Sequence, residues 1–201
     1  MPLKESYELP AAADFHVHLR DGNMSAAVVP TVRQGGCNVA YVMPNLVPPV
    51  TTVAMAQEYK SRLVALDPSV NYLMTLYLHP SITPDVVREA KKAGIVGIKS
   101  YPAGVTTNSA SGVLDYEMFY PVFEAMQEEG LVLNLHGECP SDQKEITILN
   151  AESKFLPTLK SLNERFPRLK IVLEHCTTAD AVKTVEACGP TVVGTITAHH
   201  L

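Results

Sequence analysis

Seven short apolar runs, separated in most cases by helix-like segments, are the feature of this sequence that most limits its fold. The runs cover residues 11–19, 37–43, 71–78, 94–100, 131–136, 170–174 and 191–197. The helix-like segments cover residues 51–66, 83–93, 116–129, 155–166 and 178–187, and each is polar on one face. Strands that alternate with helices at this spacing predict βα units and a parallel sheet. Periodicity alone leaves open whether the sheet is doubly wound or closes as a (β/α)8 barrel.

The polar residues at the ends of the runs favour the barrel. Five runs are closed or followed by a residue that is awkward to bury: His16 with His18, then Asn45, Lys99, His136 and His175. In parallel α/β folds, functional side chains gather at the carboxyl ends of the strands. Contributions from so many strands fit a barrel mouth better than the single crevice of an open sheet. We therefore predict an α/β fold of the TIM (β/α)8 type, with elements present through about strand 7.

The histidines indicate a divalent metal site. His16 and His18 are two residues apart, so on a strand both imidazoles point to the same face. Two nitrogens on one edge suit a metal such as zinc. The pair His16 and His18, taken alone, has a structural or incidental explanation as an alternative. A lone histidine such as His136 or His175 at a strand end is more often a satisfied core or surface group. The set of four is a stronger signal than its members.

Lys99 is the most unusual member of the set. Burial at the end of the run GIVGIK would depress the pKa of its amine and leave it neutral and reactive. The alternative is a strand-end lysine whose ammonium group reaches back to water. A neutral amine can add carbon dioxide to give a carbamate, and the two carbamate oxygens can bridge two metal ions. Beside four candidate ligands, this pattern predicts a binuclear site.

Composition excludes several classes of function. With 201 residues, 46% of them hydrophobic and 18% charged, the chain fits one globular domain over residues 1–201. A net charge of −5 argues against nucleic-acid binding, which normally needs a clustered basic surface. The sequence contains no signal-peptide-like stretch and no apolar run long enough to span a membrane, which predicts a cytoplasmic protein. Its four cysteines form no CxxC pair, so neither a disulfide framework nor a zinc ribbon is indicated.

Several strings of residues, in order along nearly the whole chain, resemble one known family. They are DFHVHLRDG, VMPNLVPPVTT, KSYPAGVTTNSASGV, LNLHGE, LEHCTT and TITAHHL. The sequence is similar to the single-function dihydroorotases of bacteria and fungi, within the amidohydrolase superfamily. The resemblance implies a barrel of the metal-dependent hydrolase type. It also implies reversible hydrolysis of dihydroorotate to N-carbamoyl-L-aspartate in pyrimidine biosynthesis.

The resemblance also implies roles for individual residues. His16 and His18 would hold a first zinc ion, and His136 and His175 a second. Lys99, as N6-carboxylysine formed with carbon dioxide, would bridge the two. The implied substrate contacts are His18, Arg20, Asn45, Thr106, Thr107 and His136.

Arg20 and Asn45 match the positions that grip the substrate carboxylate, for which the planar guanidinium is suited. The alternative for Arg20 is a solvent-exposed salt bridge with Asp21. Thr106 and Thr107 lie in residues 103–112, which resemble the mobile lid of the family; from the sequence alone this segment is simply a loop.

Other polar residues receive lesser roles. His79 and Glu138 could tune the site from behind the ligands, but for Glu138 we expect a solvated loop. His199 and His200 could be rival ligands, although the family pattern does not use them. Cys139 and Cys176 follow the predicted ligands closely, and strand alternation argues against Cys176 as a thiolate ligand.

The sequence departs from the family pattern after the seventh run. The family's eighth strand carries an aspartate that ligates the first zinc and acts as general base, and no Asp or Glu follows Glu186 here. We therefore expect the catalytic aspartate to be absent from this chain. A dihydroorotase that is a homodimer when full length, a sibling enzyme acting on another cyclic amide, and a catalytically inactive scaffold remain as three hypotheses.

Overall fold

The computed structural model describes residues 8–142 and 144–200, and their strands form one curled parallel sheet. The strands are β1 (Ala12–Val17), β2 (Cys37–Val42), β3 (Asn71–Tyr77), β4 (Gly97–Ser100), β5 (Val132–His136), β6 (Lys170–Glu174) and β7 (Val192–Gly194). Neighbours in the sheet follow the order of the chain, from β1 to β7, and each pair is parallel. The seven predicted strands and the barrel-type fold are confirmed, with strand ends up to three residues shorter than the apolar runs.

Helices connect the strands and cover the outer face of the sheet. They are α1 (Gly22–Gln34), α2 (Val53–Leu66), α3 (Pro84–Lys92), α4 (Tyr120–Glu129), α5 (Ala151–Arg165) and α6 (Ala179–Cys188), with short 3-10 turns at Glu117–Phe119 and Ala198–His200. Three of them begin in the same way. The hydroxyls of Thr52, Thr83 and Thr178 each accept a hydrogen bond from the backbone N–H three residues later, which satisfies a donor that the first turn leaves free.

Helix α1 was absent from the sequence-based prediction. Asp21 caps it by accepting a hydrogen bond from the N–H of Gly22, and Pro30 lies inside it. A glycine at the first position and an internal proline are both typical of a loop, which explains why the pattern did not indicate a helix. The helix forms because its packing against β2 and α2 outweighs these local preferences.

Strand alternation divides the side chains into an outer and an inner set. Ile98, Leu133 and Leu173 are fully buried in the core between the sheet and the helices. Their neighbours Lys99, Asn134 and Glu174 belong to the opposite face and point into the curl of the sheet. The outer set supplies the apolar core, and the inner set supplies buried polar groups.

The interior of the curl also holds an apolar cavity of about 330 Å³ at the end away from the histidines. Two of its lining residues lie on the edge strands: Phe15 on β1 is 60% exposed and Val193 on β7 is 53% exposed. Within the described ranges, β1 and β7 each pair with a single strand. None of the helices in these ranges is both long enough and apolar enough to cross a membrane.

Candidate metal centre and substrate cavity

A cavity of about 430 Å³ lies where the carboxyl ends of the strands meet. Of the predicted site residues, His16, His18, Arg20, Thr106, His136 and His175 line it. Its other lining residues are Tyr101, Glu138, Thr177, Thr197 and His200. The structure therefore brings side chains from β1 and β5 and from the segments that follow β1, β4, β5, β6 and β7 to one place.

His16 and His18 present two ring nitrogens to the same point. Their Nε2 atoms are 3.3 Å apart, and two nitrogens bound to one tetrahedral zinc at about 2.05 Å would be about 3.3 Å apart. Asn45 fixes the proton on His18. Its Nδ2 donates to the backbone oxygen of Thr107, which can only accept, so its Oδ1 faces Nδ1 of His18 at 2.7 Å and accepts that proton. Nε2 of His18 is left with a free lone pair.

His136 and His175 form a second pair beside the first. Their ring centroids are 4.5 Å apart, and the ring of His175 is 5.4 Å from that of His16. Nε2 of His136 is 2.7 Å from Oε2 of Glu138, so that nitrogen donates and Nδ1 is available to bind a cation. All four rings thus belong to one cluster.

The surroundings of His18, His136 and His175 favour neutral imidazoles. Burial, together with the neighbouring His16, lowers the pKa of His18 to about 4. Burial, together with Lys99 and His136, lowers the pKa of His175 to about 2. Burial also lowers the pKa of His136, against the hydrogen bond to Glu138. Since metals bind the deprotonated ring nitrogen, the rings of His18, His136 and His175 are in the binding form at neutral pH.

Lys99 lies beneath the cluster and is completely buried. Its Nζ has no hydrogen-bond partner among the described residues and is 5.1 Å from the centre of the Tyr101 ring. Burial lowers the pKa of the amine to about 8, although the charge of Glu174 opposes this. An amine that reached back to solvent would be exposed, so that alternative is wrong. A buried amine without a partner is a group for which a further ligand is missing.

Within the described residues, the candidate donors fall into two pairs of histidines rather than one three-ligand group. Within residues 8–142 and 144–200, no three His, Cys, Asp or Glu side chains are arranged to hold a single ion. The histidines instead converge in two pairs, with the unpartnered amine of Lys99 beneath them. Each pair needs further ligands, and a group attached to Lys99 could supply one to both.

Arg20 is the basic group of the cavity, and its backbone is unusual. β1 ends at Val17, so strand alternation does not aim Arg20; it has a φ of 57° instead. The hydroxyl of Tyr59 holds this turn by donating to the carbonyl of Arg20 at 2.7 Å. Asp21 pairs with Arg62, at 3.1 Å, and the alternative of an Arg20–Asp21 bridge is therefore wrong.

The loop after β4 covers one side of the cavity. Thr106 lines the cavity, whereas Thr107 is exposed and is not among its lining residues. Asn45 is buried beneath the loop, outside the lining, and Asn108 donates to its carbonyl at 2.9 Å. The loop also closes on itself, since the hydroxyl of Ser109 donates to the carbonyl of Thr106 at 2.7 Å.

Two of the lesser candidates, Glu138 and His200, line the cavity, and one buried acid, Glu174, was missed by the sequence-based prediction. Glu138 contacts His136 and lines the cavity, so the expectation of a solvated loop was wrong. His200 lines the cavity too, with its ring 5.9 Å from that of His175. Glu174 is fully buried among the ligands, and an acid inside the apolar run IVLEH was the signal that could have found it.

The other minor candidates do not reach the cavity. His79 bonds with Ser81 in its own turn. Cys176 lies outside the cavity lining, as expected, but for another reason than strand alternation: β6 ends at Glu174, and the thiol of Cys176 turns to the carbonyl of Leu173. Cys139 is a free thiol outside the cavity lining, and the side chain of His199 lies outside the described part of the structure.

Comparisons with known proteins agree with this geometry. A family model described as Amidohydrolase matches residues 79–191. A probable dihydroorotase of Schizosaccharomyces pombe is 62% identical over 196 residues, which are 98% of this chain and 58% of the relative. A dihydroorotase of Mycosarcoma maydis is 57% identical over 194 residues, or 96% of this chain and 49% of the relative.

Among solved structures, the crystal structure of dihydroorotase in complex with 5-fluoroorotic acid from Saccharomyces cerevisiae matches with a TM-score of 0.90 at 51% identity. The match covers 94% of this chain and 56% of that one. The chain therefore spans less than two thirds of the length of each of these relatives.

Proposed function

Because the chain belongs to the amidohydrolase family, we propose that its histidine cluster is the metal centre of a zinc-dependent dihydroorotase. The proposed reaction is the reversible hydrolysis of dihydroorotate to N-carbamoyl-L-aspartate, a step of pyrimidine biosynthesis. The observation that carries the proposal is two facing histidine pairs above a buried, unpartnered lysine, with an arginine on the same cavity. The activity is proposed for the full-length protein, since the chain spans 58% of the S. pombe relative.

Five side chains would hold the metals. His16 and His18 would bind one zinc ion, His136 and His175 the other, and Lys99, carrying a carbamate from carbon dioxide, would bridge them. Two bound cations would lower the pKa of a water molecule and polarise the carbonyl that it attacks. The low pKa values of the histidines support this assignment, because the rings need not lose a proton before they bind.

The remaining residues of the cavity would orient the substrate. Arg20 would bind the ring carboxylate through its guanidinium group, and Thr106 would contact the ring from the covering loop. The oxygen of water then adds to the ring carbonyl carbon, the ring C–N bond breaks, and the departing nitrogen takes a proton. We propose an aspartate as the general base, at a position of the family pattern that this chain, which spans 58% of the S. pombe relative, does not cover.

Asn45 and Thr107, two of the predicted substrate contacts, would reach the substrate only if the covering loop moved. The Asn45 amide is already bonded to His18 and to the backbone of Thr107, and the Thr107 hydroxyl lies away from the cavity lining. Both residues would contact the substrate only after the covering loop shifts. We therefore assign the primary hold on the carboxylate to Arg20.

The decisive experiment compares two substrates on the zinc-loaded, full-length protein. Dihydroorotate and dihydrouracil share the ring but differ in the carboxylate that Arg20 would bind. We expect turnover of dihydroorotate and little or none of dihydrouracil. Equal turnover of both, or of dihydrouracil alone, would favour a sibling enzyme for another cyclic amide, and no turnover of either would favour an inactive scaffold.

The physiological setting is also a proposal. We propose a cytoplasmic homodimer, acting on small molecules and not on nucleic acid or membranes. Analytical ultracentrifugation of the full-length protein tests the dimer, and a monomer at micromolar concentration would contradict it.

A further inference from the structure

The two ring nitrogens of His16 face different groups: one faces the other histidines of the cluster, and the other faces a buried carboxylate. Its Nε2 faces His18, and its Nδ1 is 3.0 Å from Oε2 of Glu174. The Glu174 side chain is 0% exposed, and that of His16 is 10% exposed. The 3.0 Å contact lies off the hydrogen-bond direction, and no other partner reaches Nδ1 in the described part of the chain. A small rotation of the ring would align Nδ1–H with the carboxylate.

Glu174 is held in place by two further donors. The amide of Asn134 donates to Oε1 at 2.7 Å, and the hydroxyl of Thr195 donates to Oε2 at 2.7 Å. Behind Asn134, the hydroxyl of Tyr41 donates to its Oδ1 at 2.6 Å, which fixes the orientation of the amide. The carboxylate thus accepts hydrogen bonds from Asn134 and Thr195, and these two donors fix its position.

The same network reaches the second histidine pair. Since the Thr195 hydroxyl gives its proton to Glu174, it can accept from the backbone N–H of His175, and the two atoms are 2.7 Å apart. That bond holds a residue with a φ of 44°, a conformation that side-chain-bearing residues rarely adopt. Lys99, by contrast, makes no ion pair with Glu174 in the described ranges, so pairing that amine does not explain the carboxylate.

We propose that Glu174 is a positioning residue that keeps the proton of His16 on Nδ1, so that the lone pair of Nε2 faces the metal. The inference rests on the proposed metal centre but not on the identity of the substrate. A carboxylate can only accept, so in the neutral ring of His16 the single proton belongs on Nδ1, which leaves the lone pair on Nε2. Asn45 does the same for His18 with an amide oxygen. Ligating histidines commonly have such a partner on the other ring nitrogen.

Glutamine at position 174 would keep the shape of the side chain but replace one accepting oxygen with a donating NH2 group. If its NH2 group faces Thr195 and His16, Nδ1 must accept and the proton moves to Nε2, where it blocks the metal. If the NH2 group faces Asn134, that amide must turn over, and the hydroxyl of Tyr41 loses its acceptor. Either arrangement disturbs the network, and the first removes a ligand.

The test uses the full-length protein and two readouts other than activity. The first is the ¹⁵N chemical shifts of the His16 ring in metal-free wild type at neutral pH, where we expect a protonated Nδ1. The second is zinc affinity measured by competition with a chelator. We expect Glu174→Gln to weaken zinc binding about 10- to 100-fold.

Tyr41→Phe is the matched control, since it cuts the same buried network at the end away from His16. We expect it to keep zinc affinity within about threefold of wild type. A protonated Nε2 in the metal-free wild type, or an unchanged zinc affinity in Glu174→Gln, would overturn the proposal. If Glu174→Gln fails to fold, the wild-type tautomer still decides. A protein with the expected tautomer and zinc affinity that does not turn over dihydroorotate would refute the proposed function and leave this inference standing.

Discussion

Replacing Lys99 with methionine should make the metal-free protein more stable while abolishing the metal centre. The folded protein lowers the pKa of this amine from 10.5 to about 8. At pH 7 the unfolded lysine is fully protonated, and the folded one is largely protonated at an energetic cost of about 3 kcal/mol. Methionine has a similar volume and no charge, so a repacking cost of about 1 kcal/mol leaves a net gain of about 2 kcal/mol.

The pH dependence provides an internal check. Because the folded pKa of Lys99 is below its unfolded value, the wild type should gain stability as the pH rises from about 8 towards 10.5, and Lys99→Met should lack this gain. The assay is urea unfolding of the full-length protein after removal of metal and bicarbonate. Equal or lower stability of Lys99→Met at pH 7 would refute the reasoning about burial.

Retention of two zinc ions by Lys99→Met or Lys99→Ala would refute the bridging role, whereas partial rescue of Lys99→Ala by short carboxylic acids would support it.

Three further outcomes are expected. Arg20→Met should lose about 2–3 kcal/mol of transition-state binding for dihydroorotate with unchanged zinc content, and equal kcat/KM would show that the carboxylate is held elsewhere. Because the folded pKa values of His18 and His175 lie below 6.5, metal-free protein should lose stability as the pH falls from about 6.5 towards 4. His18→Asn should flatten that loss in urea titrations, and an unchanged slope would contradict the cited pKa of His18. The exposed edge residues Phe15 and Val193 should cause the 201-residue chain to self-associate, and sedimentation unaffected by lysine at both positions would contradict this.

The strands and the clustered histidines were predictable because both follow from simple periodicities. Apolar runs of strand length give the sheet, and polar residues at their carboxyl ends meet at one edge. Helix α1 was not predictable in this way, because Pro30 and Gly22 contradict its local preference and only tertiary packing overrides them.

The partners of the ligands were also beyond the sequence. Glu138 contacts His136, and Glu174 contacts His16, Asn134 and Thr195, at distances that no spacing rule in the sequence encodes. The direction of the Arg20 side chain was equally unpredictable, because it depends on a left-handed backbone turn that Tyr59 of helix α2 holds by a hydrogen bond. The residue types that carry chemistry can be read from a sequence, but the hydrogen bonds that orient them depend on the folded backbone.

The order of strands in the sheet has a consequence for how the centre is assembled during synthesis. Each strand pairs with the next one in the chain, so the sheet can grow from β1 as the ribosome releases it. His16 lies on the first strand and His18 just after it, so this pair of ring nitrogens is synthesised before the other histidines of the cluster. The ring of His175 meets His16 only when the sixth strand has curled the sheet back towards the first. In the proposed metal centre, the His16–His18 position would therefore form before the position beside His175, and a nascent chain would acquire the two proposed ions in sequence.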